Sequence, residues 1–165
     1  MPSARIAIGF WREGDHELSL MESSEAQGNL PKGTVAFLKC LPRPHDLVME
    51  GWEKDRLLSI LTYLRSGHKL NAQLGYSYCR FRCGIPRRAM GDAELTDGLY
   101  VWPEGLVHYV EVHAVRLPPF FVDHMAENGF RVPPGYGRLK FGSSGWDQGM
   151  WVNWCNSLRG ERRPG

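Results

Sequence analysis

Apolar residues recur at Leu57, Ile60, Leu61 and Leu64, the i, i+3, i+4, i+7 stripe that turns one helical face toward a core. This spacing predicts a helix over 55–66, with Asp55 near its start, Arg65 in its last turn and Gly67 as the left-handed residue that ends it. A second stripe, Leu106, Tyr109, Val110 and His113, predicts a helix from Pro103 to about Ala114, with Pro103 as its first residue and Glu104 in its first turn. Pro118-Pro119 opens a third, short helix through Phe121, Val122 and Met125 that Asn128-Gly129 closes. Met150, Trp151, Trp154, Cys155 and Leu158 make the apolar face of a last helix, which Asp147 caps.

Alternation with period two is read as strand elsewhere. Residues 4–11 predict a strand, 12–15 a turn and 17–21 a return strand. The polar stretch 23–33 reads as a loop, and Thr34 to Leu41 as a further strand. Pro42 and Pro44 stop it and open a connector to about Glu50. Tyr76 to Ile85 also alternates, with Tyr76, Tyr78, Arg80 and Arg82 opposite Cys79, Phe81 and Cys83. Asp97-Gly98 is a turn signal, and the strand Leu99–Trp102 after it completes a β-hairpin. Residues 130–145, rich in Gly and Pro, are expected to be irregular, with one strand at 138–141.

The expected fold is therefore α+β: an N-terminal antiparallel β portion, helices packed on it, and a β-hairpin–helix unit around 76–114. The core should hold Ile6, Ile8, Phe37, Leu57, Ile60, Leu61, Leu64, Leu106, Val110, Phe121, Trp151 and Trp154. The chain of 165 residues suits a single compact domain over 1–165, with 159–165 a frayed tail.

Composition narrows the function classes. Twenty basic against 18 acidic residues give a formal charge of +2, too small to argue for nucleic acid or membrane binding. No apolar run approaches the roughly 20 residues of a membrane span, and the N-terminus carries no signal-peptide core. Four cysteines in that setting read as cytosolic thiols or metal ligands rather than as a disulfide framework.

The sharpest chemical pattern is Cys79-Arg-Phe-Arg-Cys83 followed by His108-Tyr-Val-Glu-Val-His113, separated as x3 and x4. Thiolate and imidazole are the ligands zinc prefers, and two of each close a tetrahedral structural site. Two geometric conditions attach to Cys79, Cys83, His108 and His113 as zinc ligands. A straight strand would put the two sulfurs roughly 13 Å apart, so the chain must turn tightly through Phe81-Arg82, helped by Gly84. Five residues of ideal helix rotate the two histidines about 140° apart, so the helix must unwind near His113. The bland reading makes the cysteines small buried hydrophobes and the histidines hydrogen-bonded core residues.

A second constellation gathers Glu94, Asp97, Glu104 and His108, groups able to do acid–base work. Asp97 is first of all a turn residue, and Glu104 first of all a helix-start charge. The aromatic run Trp146, Trp151 and Trp154 fits core spacing better than a stacking platform. Arg80, Arg82, Arg87 and Arg88 cluster around the cysteines and offer charge to a phosphate or an acidic partner.

Residues 76–122 resemble a group of bacterial proteins that share a Cys-bearing stretch followed by the signature TDG…WPEGL.HYV..H.VRLP. The positions that carry it are Cys79, Cys83, Asp97, Gly98, Trp102, Pro103, Glu104, Gly105, His108 and His113. The resemblance implies no activity. Three function classes follow from the whole reading. The first is a small cytosolic protein-binding or accessory protein, of the toxin-neutralising kind, with a structural zinc ion and another protein as partner. The second is a hydrolase-like enzyme in which His108 is the general base or a metal ligand, oriented by Glu104, Asp97 or Glu94. The third is nucleic-acid binding through the arginines and the Trp-rich end.

Overall fold

The computed structural model describes residues 4–72, 75–134 and 146–161. Seven α-helices and a four-stranded mixed sheet lie among them, so the α+β class holds. In chain order they are β1 (Ile6–Ala7), α1 (Asp15–Ala26), α2 (Thr34–Lys39), a 3-10 turn (Pro44–Leu47), α3 (Leu57–Arg65), β2 (His68–Ala72), α4 (Arg87–Met90), β3 (Ala93–Thr96), β4 (Tyr100–Pro103), α5 (Leu106–His113), α6 (Pro119–Glu127) and α7 (Gly149–Glu161). The sheet order is β1-β4-β3-β2. β2, β3 and β4 run antiparallel, whereas β1 lies parallel to β4, with Ile6 opposite Tyr100.

The hairpin–helix unit is present: β3 and β4 form the hairpin around Asp97-Gly98, and α5 follows. The N-terminal antiparallel β portion is not. Its first strand is only two residues long, because Gly9 takes φ +80° and a Cβ there would meet the Leu106 side chain at 2.7 Å. The expected strands 17–21 and 34–41 are the helices α1 and α2, and the loop expected from Ser23 starts inside α1. Asp15 and Glu17 lie in the first turn of α1, where carboxylates suit the helix dipole. The Glu25 carboxylate then receives the Gly33 N–H and, at 3.1 Å, the Val35 N–H, which caps α2 from α1.

Helix α3 buries Ile60, Leu61, Tyr63 and Leu64 as its stripe demands. It starts at Leu57, two residues later than Asp55, and its end needs no left-handed residue. Gly67 is required for space instead: a Cβ would lie 2.7 Å from both the Leu95 side chain and the Trp102 ring. Pro103 closes β4 rather than opening α5, which begins at Leu106. No strand forms over 76–85, and β2 falls where the alternation of the sequence is weak.

The core collects around Trp102, Trp151, Tyr63, Phe121 and Leu106. Both large indoles keep their N–H groups satisfied, Trp102 donating to the Leu64 carbonyl at 3.1 Å and Trp151 to the Phe10 carbonyl at 3.0 Å. Ile8, Ile60, Leu61, Leu64, Leu106, Val110, Phe121 and Trp151 are buried as expected, while Ile6, Leu57 and Trp154 are partly buried against the same core. Phe37 is not core: it is 48% exposed, on the outer side of α2. The tail expected from 159 is helical through Glu161. Residues 162–165 and the strand expected at 138–141 lie outside the described residues.

Candidate metal centre

The chain enters the site from a turn, not a strand. The Arg82 N–H donates to the Cys79 carbonyl at 2.9 Å, Arg82 takes φ +52° and Gly84 φ +87°. The left-handed Arg82 thus folds the five residues back and brings the Cys83 sulfur to the Cys79 sulfur, and Gly84 turns the chain on from there. The backbone N–H groups of Phe81 and Cys83 point at the Cys79 sulfur, where they favour a thiolate.

Helix α5 supplies the other half. His108 sits in its first turn and His113 is its last residue. Ala114 then takes the left-handed conformation at φ +51°, and the Val115 N–H donates back to the Tyr109 carbonyl at 3.1 Å. This closure ends the helix at His113, where unwinding was required, and the imidazole centroids stand 5.0 Å apart. Tyr109 between them locks the two halves together. Its hydroxyl accepts the Arg80 N–H at 3.0 Å and donates to the Tyr78 carbonyl at 3.2 Å.

Cys79, Cys83, His108 and His113 converge, with one ligand atom from each lying within 4.8 Å of the other three. The Cys79 sulfur is 3.4 Å from Nε2 of His113, and the Cys83 sulfur 3.4 Å from Nε2 of His108. For a tetrahedral ion with bonds of about 2.3 Å to sulfur and 2.0–2.1 Å to nitrogen, adjacent S and N ligands sit about 3.6 Å apart. The four residues are therefore close enough to hold a metal ion. Cys79 and His108 are buried, His113 half-buried and Cys83 exposed.

The electrostatics suit cation capture. Burial lowers the basicity of both imidazoles, and for His113 the neighbouring His108 and His45 add to it. Both rings are then neutral at neutral pH, with the lone pair a metal needs. Burial pushes the Cys79 thiol up, against the pull of the two backbone N–H groups, so an ion entering here must displace a proton. Phe81 lies flat on His113, with centroids 4.1 Å apart and planes 13° from parallel, and His45 also packs on Phe81, tilted by 39° with centroids 4.2 Å apart.

The acid–base constellation does not assemble. His108 reaches Cys83, whereas Asp97 is bonded to Tyr63 and His124 on another side of the core. Glu104 accepts the N–H groups of Asp92 and Ala93 and lies 3.4 Å from the Lys69 ammonium. Glu94 is buried on β3. Two of the clustered arginines are matched by α1 and its approach: Arg80 bonds Glu13 and Arg82 bonds Glu17, each at 3.0 Å. Arg80, Arg82 and Arg87 also lie over the Tyr78 ring, at 4.2, 4.4 and 5.6 Å from its centroid.

Sequence reasoning placed Phe81 in the required turn but passed over its stacking on His113 and the pinning hydroxyl of Tyr109. Their positions on the alternating and helical stripes marked these rings as apolar packing. Among the described residues no helix is long and apolar enough to cross a membrane. No protein-family profile, curated protein or solved structure matches the chain, so the site is read from its own geometry.

Proposed function

We propose that Cys79, Cys83, His108 and His113 bind a structural zinc ion, and that the protein is a small protein-binding accessory factor rather than an enzyme. The convergence of two thiols and two imidazoles within 4.8 Å carries this reading. Soft sulfur with imidazole in a four-ligand set is the donor choice of structural zinc, and four protein ligands leave no open position for a substrate. The ion would clamp the strandless segment 76–85 to α5, replacing the sheet bonds that segment lacks. A protein partner is favoured by apolar side chains left in solvent on the packed pair α3 and α5: Leu58 is 81% exposed and Val112 57%.

Elemental analysis of the purified chain is expected to show one zinc per molecule, lost in Cys83→Ser and in His113→Ala. A chelator should lower the melting temperature, since the binding free energy of a structural ion is folding free energy. A protein that holds no zinc and takes up none when it is added would overturn the reading. So would a cobalt-substituted protein whose visible spectrum shifts with a small hydroxamate, because that requires an exchangeable fourth position.

A further inference from the structure

The turn that carries Cys79 and Cys83 presents its two sulfurs unequally. Cys83 is exposed, whereas Cys79 is 5% exposed and packs in the core. The two sulfurs lie within 4.8 Å of each other. An accessible thiol with a second thiol at this range is the arrangement in which oxidation of the first is resolved by the second. Neither of the other cysteines joins the cluster: the exposed Cys40 thiol donates to the Ala36 carbonyl at 3.3 Å, and Cys155 is buried on α7.

The turn is held in place by contacts that use neither sulfur. The Tyr109 hydroxyl accepts the Arg80 N–H and donates to the Tyr78 carbonyl, which fixes the approach to Cys79 against α5. Between the cysteines, Arg82 bonds Glu17 of α1 at 3.0 Å, and Phe81 stacks on His113. These contacts keep the turn docked on α1 and α5 whichever partner the sulfurs take. A disulfide asks the sulfurs to close to roughly 2.0 Å, a movement within one five-residue turn.

We propose, resting on the zinc reading above, that Cys83 is a modification site for hydroperoxides, with Cys79 as its resolving thiol, and that the centre releases its ion when oxidised. The Cys83 thiolate attacks one peroxide oxygen, the O–O bond breaks, and the other oxygen leaves as hydroxide or alkoxide. The Cys79 thiolate then attacks the Cys83 sulfenic acid, which forms the S–S bond and expels a hydroxide. The two sulfurs have lost two electrons and the peroxide has gained them. A metal is held by thiolate, not by disulfide sulfur, so the ion keeps only His108 and His113 and departs. A dithiol reductant returns both thiolates and with them the site.

Hydrogen peroxide added to the zinc-loaded full chain, carrying Cys40→Ser to remove the other exposed thiol, tests this. A weak chromogenic chelator reads the freed ion, and mass mapping reads the cysteines. Loss of the zinc should run in step with the appearance of a Cys79–Cys83 disulfide, and dithiothreitol with added zinc should reverse both. In Cys79→Ser, which lacks the resolving thiol, the Cys83 sulfenic acid should persist and be trapped by dimedone. In Cys83→Ser the buried Cys79 should be trapped several-fold less. A zinc-loaded chain that keeps its ion under peroxide overturns this inference alone. So does one that loses the ion with Cys83 carried on to sulfinic acid and no disulfide formed. A chain that takes up no zinc overturns the metal reading, and the release falls with it.

Discussion

The Asp97 carboxylate accepts the Tyr63 hydroxyl at 2.6 Å and the N–H groups of Leu99 and Tyr100 at 3.0 and 2.7 Å, and it faces Nε2 of His124 at 3.1 Å. The turn role was legible in Asp97-Gly98, since an Asp at that place bonds its own backbone two and three residues on. The bonds to α3 and α6 were not, because no spacing rule links Tyr63 or His124 to residue 97. Burial and the Asp97 charge hold the Tyr63 hydroxyl well above its ordinary value, so it stays a donor. Asp97→Asn keeps the shape but exchanges an acceptor for a donor facing Tyr63 or the backbone. It should cost about 2–3 kcal/mol in denaturant unfolding, with the zinc content intact. The convergence of Cys79, Cys83, His108 and His113 was legible from donor type and spacing. What the sequence did not advertise was the device that joins them: two non-glycine residues, Arg82 and Ala114, in left-handed backbone, a conformation that costs each about 1–2 kcal/mol.

At the level of elements, legibility followed burial. Helices α3, α5, α6 and α7 each pack a stripe on the core, Met150 of α7 alone among the expected face residues being exposed, and the period of that stripe gave each of them to within about three residues. Helix α1 buries only Leu18 and α2 only Val35, so neither writes a helical period. The start of α2 is instead fixed by the bonds from Glu25 of α1, which no local period records. Leu61 and Leu58 test the face assignment within one helix. Leu61→Ala should cost about 2–5 kcal/mol, whereas Leu58→Ala, three residues away and in solvent, should change stability by less than about 0.5 kcal/mol. Equal melting temperatures for the two would show that α3 is rotated. Strand β2 was missed because its register slips between Lys69 and Ala72, and a bulge destroys the alternation that reveals a strand.

For the whole molecule, the long-range pairing of β1 was beyond any local pattern. β1 is flanked by β4 on one side and on the other by Asp147, whose carbonyl accepts the Ala7 N–H at 2.9 Å and whose N–H donates to the Arg5 carbonyl at 2.8 Å. Trp151 then bonds the Phe10 carbonyl, 141 residues away in the chain. A chain cut after residue 134 should therefore lose its cooperative thermal transition, followed by circular dichroism, although the hairpin, α3, α5 and all four proposed zinc ligands are retained. A sharp melt in that fragment would show that the α7 end is dispensable. The same arrangement bears on synthesis at the ribosome. The first strand to emerge has its neighbours near residues 100 and 147, so it waits unpaired until β4 has been made, and its second edge waits until almost the whole chain has been made. The Cys79–Cys83 turn, the hairpin and α5 emerge as consecutive segments, so the four proposed ligands can meet before Asp147 has been made. On this order of events a metal ion at the proposed site would act on an early step in the protein's maturation, and the N-terminal residues are among the last to find their place.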